Sequence, residues 1–295
     1  RLTQLIASPS VSSTDISWDQ SNRPVIDLLA QWLTALGFAV EILPLKHAPH
    51  KANLIATLGQ GDGGLVFAGH TDTVPYSNSG WCSSPFELLE KDDKWYGLGT
   101  CDMKGFIAAA LALAPEFAAA DLARPVHCAF TYDEEIGCTG APPMIDHMVS
   151  MGMPRADTVI VGEPSMMSVV TGHKGGFGHK MHFHGFEVHS SLLHTGVSAI
   201  MMGAKLIEWA NQVNAENAAK APTPMDADFV PPYTTLHVGM INGGTAHNIT
   251  AKDCTFDVTF RIVPGESIAD WRDRFLAKVA ELEAQMKAIH PDAGI

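Results

Sequence analysis

The sequence predicts an α/β chain in two parts, a sheet interleaved with helices followed by a smaller antiparallel α+β domain. Three observations predict it. Short apolar runs alternate with helix-length amphipathic segments as far as residue 173. From there "GFGHKMHFHGFEVH" changes to two-residue alternation. Acidic and imidazole residues, flanked by Gly or Pro, recur at the ends of the first part's strands, where an open α/β sheet gathers its chemistry.

Residues 22–36 place Val25, Ile26, Leu29, Trp32 and Leu33 on one helical face, with Gly37 as the stop. "FAVEI", "NLIATL" and "LVFAGH" follow as strands. "GQGDGG" between the last two matches G-x-G-x-x-G, but it leads into a strand and not a helix. A hairpin turn is therefore expected there and not a dinucleotide loop. Residues 103–120 are Ala-rich and helical; "VHCAFTY" is a strand, "GAPPMIDHMVSMG" a short helix and "DTVIVG" a strand. After residue 173 come a strand, a helix over 195–213, the strands "YTTLHVGMI" and "CTFDVTFRIV", and a helix over 267–289. The last helix turns Ile268, Trp271, Phe275, Val279, Leu282, Met286 and Ile289 to one side, and Ser267 with Asp270 forms its cap. The order βαββα needs one more strand to complete a ferredoxin-like βαββαβ domain, and "DAGI" stands where that strand should begin. The chain thus reads as truncated at its C-terminus. Its start, neither Met nor a signal peptide, suggests that the N-terminus is also missing.

A net charge of -13 argues against nucleic acid or an anionic membrane as partner, and no apolar run is long enough to span a bilayer. Five cysteines without paired spacing suit a reducing cytoplasm better than a disulfide framework. Fourteen histidines and 32 acidic residues supply metal ligands without thiolates.

The candidate site is the set His70 and Asp72 in "GHTDTVP", Asp102 in "GLGTCDMKG", Glu134 and Glu135 in "YDEEIGCTG", and Glu163 in "VGEPS". Singly, each has a plain explanation: a strand-end turn, a helix cap, a solvated acidic pair, a turn before Pro164. Jointly those explanations fail, because several carboxylates converging in one crevice repel unless a cation neutralises them. Asp72 suits the carboxylate that orients a ligating imidazole, or it steers another catalytic group. Cys101 has no matched His–Asn pair and is a poor thiol nucleophile. His182 and His184 share a strand face and are able to chelate a metal, although solvated edge positions are the plainer reading. Lys104 and His173 receive no role.

"GHTDTVP", "GTCDMKG", "DEEIGCTGA" and "GEP", in this order and spacing, resemble the zinc-dependent aminoacylase and carboxypeptidase family of metallohydrolases. "QSNRPVIDLLAQWLTALGF", "WYGLGTCDMKG" and "EEIGC" are most similar to its acetylornithine deacetylase branch. The resemblance covers essentially the whole chain. It implies a three-layer zinc-peptidase-like catalytic domain over 1–173 and an inserted ferredoxin-like lid, incomplete, over 174–295. It also implies two divalent ions, zinc first, with cobalt or manganese acceptable to the same ligands. His70, Asp102 and Glu163 would hold one ion; Asp102 would bridge to a second, held also by Glu135. Glu134 would be the general base and Asp72 the orienting group. His189 would stabilise the oxyanion, often in a neighbouring subunit's site, and Asn248 and Arg261 would hold the substrate carboxylate. The family's last ligand, a C-terminal His, has no match here. The implied reaction is hydrolysis of an N-acyl amino acid, N2-acetyl-L-ornithine above all, in arginine biosynthesis, by a cytoplasmic homodimer formed through the lid. The alternatives are a desuccinylase, another aminoacylase or dipeptidase of the family, and a non-catalytic metal-binding or interaction protein.

Overall fold

A computed structural model describes residues 1–46, 48–153 and 155–295. The chain divides into two compact units, Arg1–Ser168 and Val169–Ile295, five residues before the boundary expected from the change of pattern.

The first unit runs α1 (Leu2–Ile6), α2 (Arg23–Ala35), β1 (Ala39–Pro44), β2 (Ala52–Leu58), β3 (Leu65–His70), β4 (Leu89–Lys91), β5 (Lys94–Tyr96), α3 (Lys104–Ala119), β6 (Val126–Thr131), α4 (Ala141–Ser150) and β7 (Thr158–Val161). Its main sheet has the order β1-β2-β6-β3-β7, with β3 parallel to both β6 and β7. Helices α2 and α3 bury Val25, Leu29 and Leu33, and Ile107 and Leu111, in one core with Leu54, Phe67 and Phe130 of the sheet. Each such side chain contributes about 1.5–3 kcal/mol by leaving water.

One expectation fails. "GQGDGG" is not a hairpin turn, because β6 lies between β2 and β3 and pairs with both. The loop crosses the start of β6 instead: Leu65 N–H donates to the Pro125 carbonyl at 3.1 Å, and a Cβ on Gly64 would strike that carbonyl. Local pattern cannot reveal a strand inserted from 60 residues further on. The β4–β5 hairpin is also absent from the sequence reading; its turn uses Asp92 and Asp93 in the left-handed region (φ 53° and 55°), which Asp tolerates.

The second unit runs β8 (Gly175–His184), a 3-10 turn (Ser190–Thr195), α5 (Ala199–Ala218), β9 (Thr235–Gly243), β10 (Asp253–Ile262) and α6 (Ile268–Ile289). The sheet is antiparallel in the order β8-β10-β9, as a βαββα ferredoxin-like topology requires. Alternate residues of β10 (Cys254, Phe256, Val258, Phe260, Ile262) are buried in a core shared with Leu206 and Val213 of α5 and Trp271 and Phe275 of α6. On α6 the expected apolar face is buried at its centre, but its end residues Ile268 and Ile289 are about half exposed (47% and 49%). The Ser267 hydroxyl accepts from Asp270 N–H and caps the helix. The strand expected through residue 189 stops at His184, and α5 begins four residues later than the pattern suggested. Gly294 bridges His184 in antiparallel fashion on the edge of β8 away from β10.

Candidate metal centre

The three parallel strands β6, β3 and β7 end together. Register pairs His70 with Thr131 and Ala68 with Val161, so His70, the Asp133–Glu135 turn and Glu163 emerge side by side. Asp102 joins them from the residues before α3. The close approach of that helix depends on two glycines. A Cβ on Gly69 would lie 2.6 Å from Met103 Cε, and one on Gly162 would overlap the Phe106 ring. Asp102 does not cap α3: the cap position is Met103, with no side-chain bond.

His70 is the centre of the cluster and is buried. Its Nδ1 faces two oxygens of Asp72, the carbonyl at 3.1 Å and Oδ1 at 3.4 Å, which keeps the ring proton on Nδ1. Its Nε2 then points at three carboxylates: Asp102 Oδ1 at 3.0 Å, Glu163 Oε1 at 3.6 Å and Glu134 Oε2 at 4.0 Å. A lone pair facing carboxylates is repulsive unless a cation stands between them. Two triads, His70–Asp102–Glu135 and His70–Glu134–Glu163, bring a ligand atom from each member within 4.8 Å of the others.

The acidities express the same crowding. Burial alone would lower the His70 imidazole, but Asp72, Glu163 and Asp102 outweigh it and push it up to about 9. Burial and then the charge of Asp102 raise Glu135 to about 7. Burial, with Asp102 and Glu134, also raises Glu163. Burial would raise Asp72, but its bond to His70 and the charge there hold it low. Carboxylates crowded in this way call for a compensating positive charge among them. Imidazole with several carboxylates suits zinc, cobalt or manganese, and the residues fit such an ion. Asp72 Oδ1 is buried without a full hydrogen bond and faces His70 Nδ1 at 3.4 Å.

The acidic turn rests on a buried brace that sequence reasoning missed. Lys51 Nζ lies 2.6 Å from both Asp133 Oδ1 and Asp19 Oδ1, and Ser12 Oγ donates to Asp133 at 2.5 Å. Burial would lower the Lys51 ammonium, but Asp133 and Asp19 hold it above its ordinary value. Asp133 adopts a left-handed φ of 51°, and Tyr132 N–H donates to Asn53 Oδ1 at 3.2 Å, fixing the turn from both sides. Glu135 N–H donates to Asp72 Oδ2 at 3.2 Å, so Asp72 ties the turn to the His70 strand. The thiol of Cys138 donates to Glu134 Oε1 at 3.3 Å and is pushed up to about 11 by burial and that bond. A third acid directly before "EE" and a lysine just ahead of β2 were the available signals. Lys104, left without a role by the sequence, is buried with its ammonium on the carbonyls of Leu5 and Ser8. Burial lowers it to about 8. It pins the N-terminal segment beneath α3.

The remaining sequence candidates lie in the second unit. His189 and Asn248 are neighbours: His189 bridges Ile249, and Ser190 N–H donates to the Asn248 carbonyl at 2.9 Å. Arg261 is the penultimate residue of β10, paired with Gly176 and Thr235. Asn248 precedes the opposite end of that strand. At roughly 3.3 Å per residue the two are separated by most of the sheet's length, so one copy of this unit does not bring both to one carboxylate. All five cysteines are free. Among the described residues, no helix is long and apolar enough to cross a membrane.

The profile of Peptidase family M20/M25/M40 matches residues 66–287. Acetylornithine deacetylase of Pasteurella multocida is 40% identical over 278 residues, spanning 94% of this chain and 71% of the relative. That of Proteus mirabilis is 38% identical over 282 residues, spanning 96% and 71%. Among solved structures, an M20 family metallo-carboxypeptidase from Sulfolobus solfataricus superposes with a TM-score of 0.71 at 16% identity, covering 95% of this chain and 74% of that one. Human carnosine dipeptidase 1 gives 0.68 at 16%, covering 96% and 73%. At such identity these two speak for the fold.

Proposed function

The chain belongs to Peptidase family M20/M25/M40 and is a metal-dependent amidohydrolase acting on N-acyl amino acids, and from that premise we propose that its substrate is N2-acetyl-L-ornithine, cleaved to ornithine and acetate in arginine biosynthesis. The convergence of His70, Asp102, Glu134, Glu135 and Glu163 at three parallel strand ends supports the chemistry. Similarity to relatives named acetylornithine deacetylase supports the substrate.

In this reading His70, Asp102, Glu135 and Glu163 would hold two divalent ions, zinc in both places, with His70, Asp102 and Glu163 serving one and Asp102 and Glu135 the other. Ions bound there supply a water acidified towards neutrality and a polarised acyl carbonyl. The protein's residues do the rest. Asp72 keeps the His70 proton on Nδ1, leaving Nε2 free as a ligand. Glu134 takes the proton from the attacking water and returns it to the leaving amine nitrogen. The two adjacent glutamates differ in their surroundings: Asp72 accepts from the Glu135 backbone N–H, while the Glu134 carboxylate accepts the thiol of Cys138 and faces His70 Nε2 at 4.0 Å.

A steady-state panel of N2-acetyl-L-ornithine, N-succinyl-diaminopimelate and simple dipeptides tests the substrate. The highest kcat/KM is expected for acetylornithine. A preference of tenfold or more for either of the others would reassign the substrate and leave the reaction class standing.

A further inference from the structure

A second cluster of metal-binding type lies outside the crevice, on the open face of the antiparallel sheet. In β8 the inward residues Met181 and Phe183 are buried, so His182 and His184 project from the opposite face. Register sets Asp253 of β10 directly across from His184, and Thr255 across from His182. Both imidazoles reach one carboxylate oxygen: His182 Nε2 is 2.7 Å and His184 Nδ1 3.3 Å from Asp253 Oδ1. The three ligand atoms lie within 4.8 Å of one another.

We propose that His182, His184 and Asp253 form a separate site for one divalent transition-metal ion. A tetrahedral zinc with bonds of about 2.0–2.1 Å holds its ligands about 3.3 Å apart. The two imidazole–carboxylate distances, 2.7 and 3.3 Å, lie near that figure, and the third spacing is within 4.8 Å. The rigid sheet sets the spacing twice over, by alternation along β8 and by cross-strand pairing to β10. Two imidazole nitrogens with one carboxylate favour zinc, cobalt, nickel or copper over magnesium or calcium, and a fourth position remains for water. His184 also exchanges backbone hydrogen bonds with Gly294, at 2.8 and 2.9 Å. An ion there fastens β10 to β8 at the residue where the 293–295 segment joins the sheet. Its role is that of a staple, independent of the crevice and of the substrate reading.

Equilibrium dialysis against zinc, followed by elemental analysis, tests it. His182→Asn, His184→Asn and Asp253→Asn should each lose one zinc per chain relative to the unaltered protein. His237→Asn, an exposed imidazole of β9, should lose none, and His70→Ala should lose crevice metal while keeping this one. The three side chains are 57% (His182), 42% (His184) and 53% (Asp253) exposed, so the variants are expected to fold, which far-UV circular dichroism checks. Zinc should also raise the Tm of His70→Ala but not that of His70→Ala combined with Asp253→Asn. Equal zinc counts in the unaltered protein and the three single variants would reduce the cluster to a hydrogen-bonded surface pair and overturn the proposal.

Discussion

The two units treat their polar residues in opposite ways. In the first, parallel strands end in register, and residues from four separate segments meet around one buried imidazole, His70. In the second, antiparallel strands distribute polar side chains along an open face. His189 and Asn248 sit towards one end of β10 and Arg261 near the other. A parallel sheet concentrates charge at one edge; an antiparallel one assembles only what alternation and pairing place side by side, as with His182, His184 and Asp253. Concentration has a cost. Carboxylates in the crevice repel, and the turn that carries two of them needs Lys51 beneath it.

If the crevice is where chemistry is concentrated, its loss should dominate. Glu134→Gln is expected to lower turnover by about 10² to 10⁴, with the fold unchanged, as for removal of a general base. Steady-state kinetics measures this, and a loss under tenfold would remove Glu134 from the proton path. Next comes the brace. Lys51→Met leaves two neighbouring carboxylates without their cation and should destabilise the first unit by about 3–5 kcal/mol in urea unfolding. Lys51→Arg should recover part of that. An unchanged midpoint for Lys51→Met would mean that the turn stands without it.

Smaller effects sharpen the contrast. Asp72→Asn keeps the shape but weakens the hold on the Nδ1 proton and on the Glu135 backbone, and should lower metal affinity by about 10- to 100-fold. Competition with a chromophoric chelator reads this directly. In the second unit, Ser267→Ala removes the α6 cap and should cost about 1 kcal/mol with kcat unchanged. A comparable loss of activity from that cap would mean that the two units are not separable in this way.

Much of this was legible in the sequence because each strand end carries its own punctuation. Gly69 and Pro75 bracket "HTDTV", Gly162 and Pro164 bracket Glu163, and apolar runs locate the strands that present them. What was not legible depends on pairing between distant segments. "GQGDGG" suggested a hairpin because nothing nearby announces that β6 inserts between its strands. Lys51 carries no signal of its partners in the sequence, because the fold alone brings Asp19 and Asp133 to it. His182 and His184 were visible as a pair, but their shared carboxylate comes from 69 residues beyond His184 and depends on the β8–β10 register. Lys104 is hidden for a related reason, since its partners are main-chain carbonyls that no side-chain pattern reveals.

In the proposed metal centre the strand-end carboxylates and His70 hold the ions and Glu134 is not a ligand. Metal content per chain, measured by elemental analysis on the unaltered protein, His70→Ala and Glu134→Gln after identical dialysis, tests it most directly. His70→Ala should lose bound metal and activity together, while Glu134→Gln should keep its metal and lose turnover. Full metal content and activity in His70→Ala, or metal lost from Glu134→Gln with activity per bound ion preserved, would contradict it.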